Sequence, residues 1–268
     1  IPWLEEQGFK SALSRARSEF GIEEELSTPD TETAPGDGAY ELVQDEAALQ
    51  AWIDEIVNAG VVAFDTETNS LDSMQADLVG LSLSVQGGSA CYVPVAHVAP
   101  SGDGVGELDL GGDGDNGGGE VPEQIARDRV IEMLKPVLED PGVLKVGHNI
   151  KYDMQVMARY GVEVAPIDDT MLLSYVLEGG SHGHGLDELA TLHLGHTNIK
   201  FAEVAGSGKK QVSFDKVPLD KALDYAAEDA EVTGRLYRQF KPRIAQEHMS
   251  SVYETLERGL VPVLSDME

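Results

Sequence analysis

The chain has few basic residues, a single cysteine and no long apolar run, and each shortage excludes something. One cysteine in 268 residues, Cys91, rules out a disulfide within the chain. Its apolar, strand-like surroundings predict a buried structural thiol. No stretch approaches the roughly 18 consecutive apolar residues that suggest a membrane-spanning helix. The opening residues lack the basic segment and apolar run of a secretory signal. They also lack an initiator methionine, so the chain is expected to be a piece of a longer, cytoplasmic protein. Basic residues number 19 against 48 acidic ones, a formal charge of −29. Phosphate neutralisation supplies much of the affinity of nucleic-acid binders, so composition alone argues against such a partner. Clustered acids can instead serve divalent cations, and acids remote from a site serve solubility.

A hydrophobic fraction of 41% is enough for a core. Residues 4–20 fit one amphipathic helix, with Leu4, Phe9, Leu13 and Ala16 near one face, and residues 27–38 read as a flexible linker. A strand is expected at 40–43. A helix follows at 45–58, where Ala48, Leu49, Trp52, Ile53 and Ile56 recur at helical spacing. Strands are expected at 61–65, 78–85 and 90–95, with Pro94 placing the last at a sheet edge. The Gly- and Asp-rich stretch 100–120 reads as an unpacked insertion; its acids lack the register of a calcium loop. Helices are expected at 123–139, after the strand 143–146 through Tyr160, at 170–177, 186–194 and 219–246, and from Tyr253 onward. The polar loop 197–217 carries Lys200, Lys209, Lys210 and Lys216. Early strands, then strand–helix alternation, then helices predict an α/β fold: a mixed sheet with helices on its faces.

Three segments carry chemistry. The apolar strand 61–64 delivers Asp65 and Glu67, which point to one side of an extended chain. Two such carboxylates at a buried strand end repel each other unless a cation lies between them, and hard oxygen ligands suit magnesium or manganese. Asn149 and Asp153 are four apart and share a helix face, with Asn149 also serving as the cap. Tyr225 and Asp229 repeat that spacing, and the small Ala226 and Ala227 let their helix pack closely. Glu228 and Glu231 point elsewhere and are expected to be solvated. Four acids opening on one sheet edge fit two metals about 4 Å apart, as used for in-line phosphoryl displacement, with Tyr225 orienting the attacking water.

This order, Asp-x-Glu, Asn-x-x-x-Asp, Tyr-x-x-x-Asp, resembles the DEDD exonuclease superfamily in its tyrosine subgroup. The histidine subgroup carries His where this chain has Asp224. Residues 64–72 (FDTETNSLD), 146–153 (VGHNIKYD), 184–190 (HGLDELA), 208–214 (GKKQVSF) and 225–233 (YAAEDAEVT) are similar to the proofreading domains of bacterial DNA polymerases I. The resemblance implies a ribonuclease H-like, mostly five-stranded mixed sheet. It also implies 3′→5′ removal of nucleoside 5′-monophosphates from single-stranded or frayed DNA with two Mg2+ or Mn2+ ions. It assigns metal binding to Asp65, Glu67, Asp153 and Asp229 and a catalytic role to Tyr225. Substrate contacts fall to Thr66, Leu71, His148, Asn149 and Tyr152, with His148 standing where some relatives have Gln. His184 falls in a family loop motif, with a structural role or a DNA contact. The lysines of the 197–217 loop are candidates for the DNA backbone. His97, His182, His193, His196 and His248 show no ligand spacing and read as ordinary residues.

The implied organisation is a tail and linker at 1–38, following a 5′-nuclease domain. The exonuclease domain spans 39–248, and 249–268 is the start of a polymerase domain. A ribonuclease D-like RNA exonuclease and a non-catalytic scaffold are the rival readings. Because the Gly- and Asp-rich insertion cannot pack, deleting residues 102–118 is expected to leave nuclease activity and thermal stability unchanged. Activity lost with a cooperative melting transition retained would assign the insertion a role.

Overall fold

A computed structural model of the chain describes residues 40–85, 88–99 and 121–268. The expected helix at 4–20, the linker and the 100–120 insertion lie outside these residues. The backbone forms a six-stranded mixed sheet in the order β1-β4-β3-β2-β5-β6. The strands are β1 (Glu41–Leu42), β2 (Val61–Thr68), β3 (Leu78–Ser84), β4 (Ala90–Pro94), β5 (Leu144–Gly147) and β6 (Ile167–Asp169). The helices are α1 (Glu46–Ala59), α2 (Arg127–Leu138), α3 (Lys151–Ala158), α4 (Thr170–Glu178), α5 (Leu186–Leu189), α6 (Phe201–Ala205) and α7 (Leu219–Gln246). Two C-terminal helices, α8 (Ser250–Val252) and α9 (Arg258–Met267), are joined by the wide turn Tyr253–Glu257. Among the described residues no helix is long and apolar enough to cross a membrane.

Local signals account for the bounds of α1. Asp45 caps α1 by accepting from the amides of Ala47 and Ala48, each at 2.9 Å, and Gly60 ends it in the left-handed region at φ 69°. The helix buries Leu49, Trp52, Ile53 and Ile56 against the sheet. Alternation along β2 sends Val62 and Phe64 into the main core with α1 and α2. Each such fully buried side chain contributes about 1.5–3 kcal/mol of apolar transfer. Cys91 is buried in the same core, as expected.

The opposite face is built for close approach. Helix α7 crosses β2, β3, β4 and β5, and buries the small Ala226, Ala227, Ala230 and Gly234. A Cβ added at Gly234 would lie 3.4 Å from the Ala63 Cβ. Lys145, wholly buried on β5, donates to the carbonyls of Asp140 (2.9 Å), Val143 (2.6 Å) and Ala165 (2.5 Å). Burial lowers its pKa to about 8.

Three expectations need correction. The sheet has six strands, because Ile167–Asp169 pairs with β5 as a three-residue strand too short to show a period. Pro94 does not mark an edge strand: β4 lies between β3 and β1. Strand β1 pairs only with Cys91 and Tyr92, so the missing Pro94 amide has no ladder partner on that side. Strand β2 continues to Thr68, so Asp65 and Glu67 lie inside it rather than at its end.

Gly80 on β3 permits the fully buried Tyr92 to lie across the strand, and any Cβ there would overlap the phenol ring. Gly80→Ala is therefore expected to destabilise the protein by about 1–3 kcal/mol, the usual cost of overpacking. Urea unfolding followed by circular dichroism would read this as a lower midpoint, and an unchanged midpoint would refute it.

Candidate active site

Strand β2 places Asp65 opposite Ser82 and Glu67 opposite Gly80, over which the Tyr92 ring lies. Asp153 projects from the first turn of α3, which follows β5, the parallel neighbour of β2. Asp229 and Tyr225 project from α7, one turn apart. Three separate elements thus bring four carboxylates and a phenol together. Glu67 and Asp153 are buried, while Asp65 and Asp229 are half-buried, Asp229 at the edge of a cleft. That cleft, of about 280 Å³, is lined by Gly185, Leu186, Asp187, Ile199, Phe201, Tyr225 and Asp229.

The electrostatics follow from this burial. Desolvation pushes the Asp65 carboxyl up to about 7. It raises Glu67 further, with added repulsion from Asp65, Asp229 and Asp153. Asp153 and Asp229 are raised by burial first and by Asp65 second. The Tyr225 phenol is raised by burial and by Asp229, Glu67 and Asp65, so it stays protonated and can donate a hydrogen bond. Like charges gathered out of water fit a divalent cation, and a set made wholly of oxygen donors suits Mg2+ or Mn2+. Part of the array is held in place. The Thr66 amide (2.9 Å) and hydroxyl (2.5 Å) both donate to Asp153 Oδ1. The buried Asn198 donates to Asp229 Oδ1 at 3.4 Å.

Comparison with known proteins gives the family. A family model described as 3′-5′ exonuclease matches residues 40–245. The chain belongs to the 3′-5′ exonuclease family. It is 45% identical over 272 residues to DNA polymerase I of Rhizobium leguminosarum, covering 95% of this chain and 26% of that protein. With DNA polymerase I of Pseudomonas aeruginosa the identity is 39% over 269 residues, covering 99% of this chain and 27% of the relative. The exonuclease chain therefore spans about a quarter of the length of these relatives. Brucella melitensis NrnC with bound Mg2+ shares the fold at a TM-score of 0.56 and 20% identity, over 80% of this chain and 87% of that one. The ribonuclease H-like class expected from the sequence is the class observed.

The residues named for substrate stand in different situations. Leu71 is 98% exposed, an apolar side chain with nothing packed on it. Thr66 is buried and committed to Asp153. Tyr152 hydrogen-bonds the Thr68 hydroxyl and the Ser70 carbonyl, each at 2.5 Å, and so ties down the loop that carries Leu71. His148 meets the Thr170 hydroxyl at 2.9 Å, and burial lowers its pKa to about 4. Asn149 is exposed at φ 61°, before α3 begins. It therefore neither caps α3 nor shares a helix face with Asp153. The buried Asp169 does the work expected of Asn149: its carboxylate accepts from the amides of Asn149 (3.1 Å) and Ile150 (3.0 Å) while also capping α4. An Asp directly before a helix is a capping signal, but its reach to a second segment depends on the fold.

Glu228 and Glu231 are buried rather than solvated. Glu228 accepts from the Ile199 amide at 2.6 Å and faces His196 Nε2 at 2.8 Å, which pins the segment that supplies Asn198. Periodicity could not reveal this, because the partners are about 30 residues away. Of the loop lysines, Lys200 is paired with Asp187 at 2.7 Å, whereas Lys210 and Lys216 are exposed.

The raised Asp65 carboxyl has a consequence for stability. Between pH of about 4 and 7 the folded metal-free protein keeps a proton that the unfolded chain has released. Stability from this group therefore falls as pH rises through that window. In chelator, Asp65→Asn is expected to melt higher than the parent. The gap should widen from pH 4 to pH 8, at roughly 2–4 °C per kcal/mol gained. A gap independent of pH in calorimetric scans would refute the assignment.

Proposed function

We propose that this domain hydrolyses DNA from its 3′ end to nucleoside 5′-monophosphates with two divalent ions, Mg2+ or Mn2+, as the proofreading part of a cytoplasmic DNA polymerase I. The observation that carries this reading is the meeting of Asp65, Glu67, Asp153 and Asp229, all raised by burial, beside a protonated Tyr225. Asp65, Glu67, Asp153 and Asp229 would hold the two ions. The ions, when bound, supply Lewis-acid stabilisation of the charge that builds on the phosphate and the leaving oxygen. The chain's own residues do the rest. Tyr225 donates its phenolic proton to orient the attacking water. Thr66 fixes Asp153, and Asn198 steadies Asp229. Leu71 offers an apolar surface for the terminal base, and base stacking of this kind is tolerant of sequence. Asn149 and Tyr152 lie along the last nucleotides, and His148 stands beside them. The exposed Lys210 and Lys216 meet the backbone.

In this reading residues 39–248 are the exonuclease unit. Residues 249–268 begin the polymerase domain, and 1–38 form the tail after a 5′-nuclease domain. The 45% identity with a DNA polymerase I favours DNA over RNA as substrate.

The test uses 5′-labelled single-stranded DNA and an RNA of the same sequence, with Mg2+ or Mn2+. Stepwise shortening of DNA from the 3′ end is expected. In the Asp65→Ala/Glu67→Ala variant it should fall by about 10³-fold or more, since the ions supply several kcal/mol of stabilisation. Tyr225→Phe is expected to lose about 10²-fold while metal affinity stays unchanged. Faster cleavage of RNA, or cleavage untouched by the double substitution, would overturn the proposal.

A further inference from the structure

A second constellation lies at the far end of α4. Among the described residues, one group of three His and acid side chains has its ligand atoms within 4.8 Å of one another, and it is Glu178, His182 and His193. Glu178 is the last residue of α4. His182 sits in the link between α4 and α5, and His193 in a second wide turn, Ala190–Leu194, directly after α5. Sequence spacing hides the trio, because the two histidines are brought together only when that turn folds back beneath α7.

The hydrogen bonding at this site is incomplete. Glu178 Oε2 faces His182 Nε2 at 2.6 Å and His193 Nε2 at 3.2 Å. The other nitrogen of His182, Nδ1, lies 2.6 Å from the Gly183 carbonyl, which can only accept, so Nδ1 carries the proton. In the neutral ring Nε2 then aims a lone pair at a carboxylate oxygen. His193 Nε2 is buried without a hydrogen-bond partner. A proton on His182 Nε2 would satisfy that one contact and leave His193 Nε2 with only its poorly aligned 3.2 Å approach to the same oxygen. A single divalent cation would satisfy all three atoms.

The surroundings have the character of a metal ligand's outer shell. The Gly183 carbonyl fixes the His182 tautomer, a usual partner of a ligating histidine. Arg243 donates to the second Glu178 oxygen at 2.6 Å, and Glu247 balances its charge at 2.8 Å. The His193 ring packs edge-on against Phe240, with centroids 4.8 Å apart. The His184 ring lies beside that of His182, tilted by 57°, but is engaged with the Ser174 hydroxyl at 2.8 Å.

We propose that Glu178, His182 and His193 form a binding site for a zinc-class cation, separate from the four carboxylates and structural in role. Two imidazoles and one carboxylate suit Zn2+ rather than Mg2+. The ion would join the end of α4, the link and the turn after α5 into one unit. Gly185, at the end of that link, and Leu186 and Asp187, which open α5, line the cleft beside Tyr225 and Asp229. Zinc here braces one wall of that cleft.

The test removes the acidic cluster first. In the Asp65→Ala/Glu67→Ala chain, titration of Zn2+ against a chromophoric chelator is expected to show one equivalent that excess Mg2+ does not displace. Co2+ in its place should give the intense visible absorption of a four-coordinate ion. Adding His182→Ala or His193→Ala should remove that absorption and weaken zinc binding by at least about tenfold, the low end of the range for losing even an outer-shell partner. His193→Gln, milder in shape, guards against misfolding, and the Co2+ spectrum of the chain with its histidines intact needs no further substitution. Absence of a zinc equivalent, a weak six-coordinate Co2+ spectrum, or zinc affinity unchanged by either histidine substitution in a folded variant would overturn the proposal.

Discussion

Mutual repulsion of four carboxylates in a space withdrawn from water is the constraint on which the rest of this structure depends. Ionised oxygens so placed are unfavourable unless a cation offsets them or a proton neutralises them. The metal-free protein takes the second course in part, as the raised Asp65 carboxyl shows. An array of this kind persists only where the framework over-determines it. The framework here is the apolar core that α1 and α2 build against Val62 and Phe64 on the opposite face of the same strand. The strand therefore has two roles set by its twofold period: cohesion on one face and charge on the other.

Close approach of α7 is the second requirement. Ala226, Ala227, Ala230 and Gly234 are the small residues buried along it, and Gly234 lies against Ala63. Larger side chains along that seam would lift the helix, and Asp229 and Tyr225 with it, away from β2. Polar anchors finish the positioning. Thr66 holds Asp153, Asn198 reaches Asp229, and Glu228 pins the segment that carries Asn198. None of these anchors belongs to the charged set, yet each limits how far the set can relax.

The charge of −29 now reads differently. A strongly acidic surface is a poor landing place for a polyanion, but the buried acids call for cations, and bound cations invert the local field. The exposed apolar Leu71 and the exposed Lys210 and Lys216 supply contacts of another kind on the outside.

Much of this was legible in the sequence, and what was not had a common cause. Helices with long apolar periods, such as α1 and the 28-residue α7, appeared within about a residue of their expected bounds, because period and caps are local properties. The order Asp65, Glu67, Asp153, Tyr225, Asp229 named the acids before any fold was known. Strand β6 was missed because three residues carry no period, and its strand character comes from pairing with β5. Asn149 was misplaced because a residue at φ 61° stands outside the helix that its spacing suggested. Glu228 and Glu231 were read as solvated because their burial is decided by segments distant in sequence. The same holds for His193, which only the fold brings to Glu178 and His182. By itself the sequence determined the class of fold, the family and the acids, since these rest on local pattern and side-chain chemistry. The tertiary structure alone decided which polar groups are withdrawn from water and which meet, because burial and long-range contact belong to the folded chain as a whole.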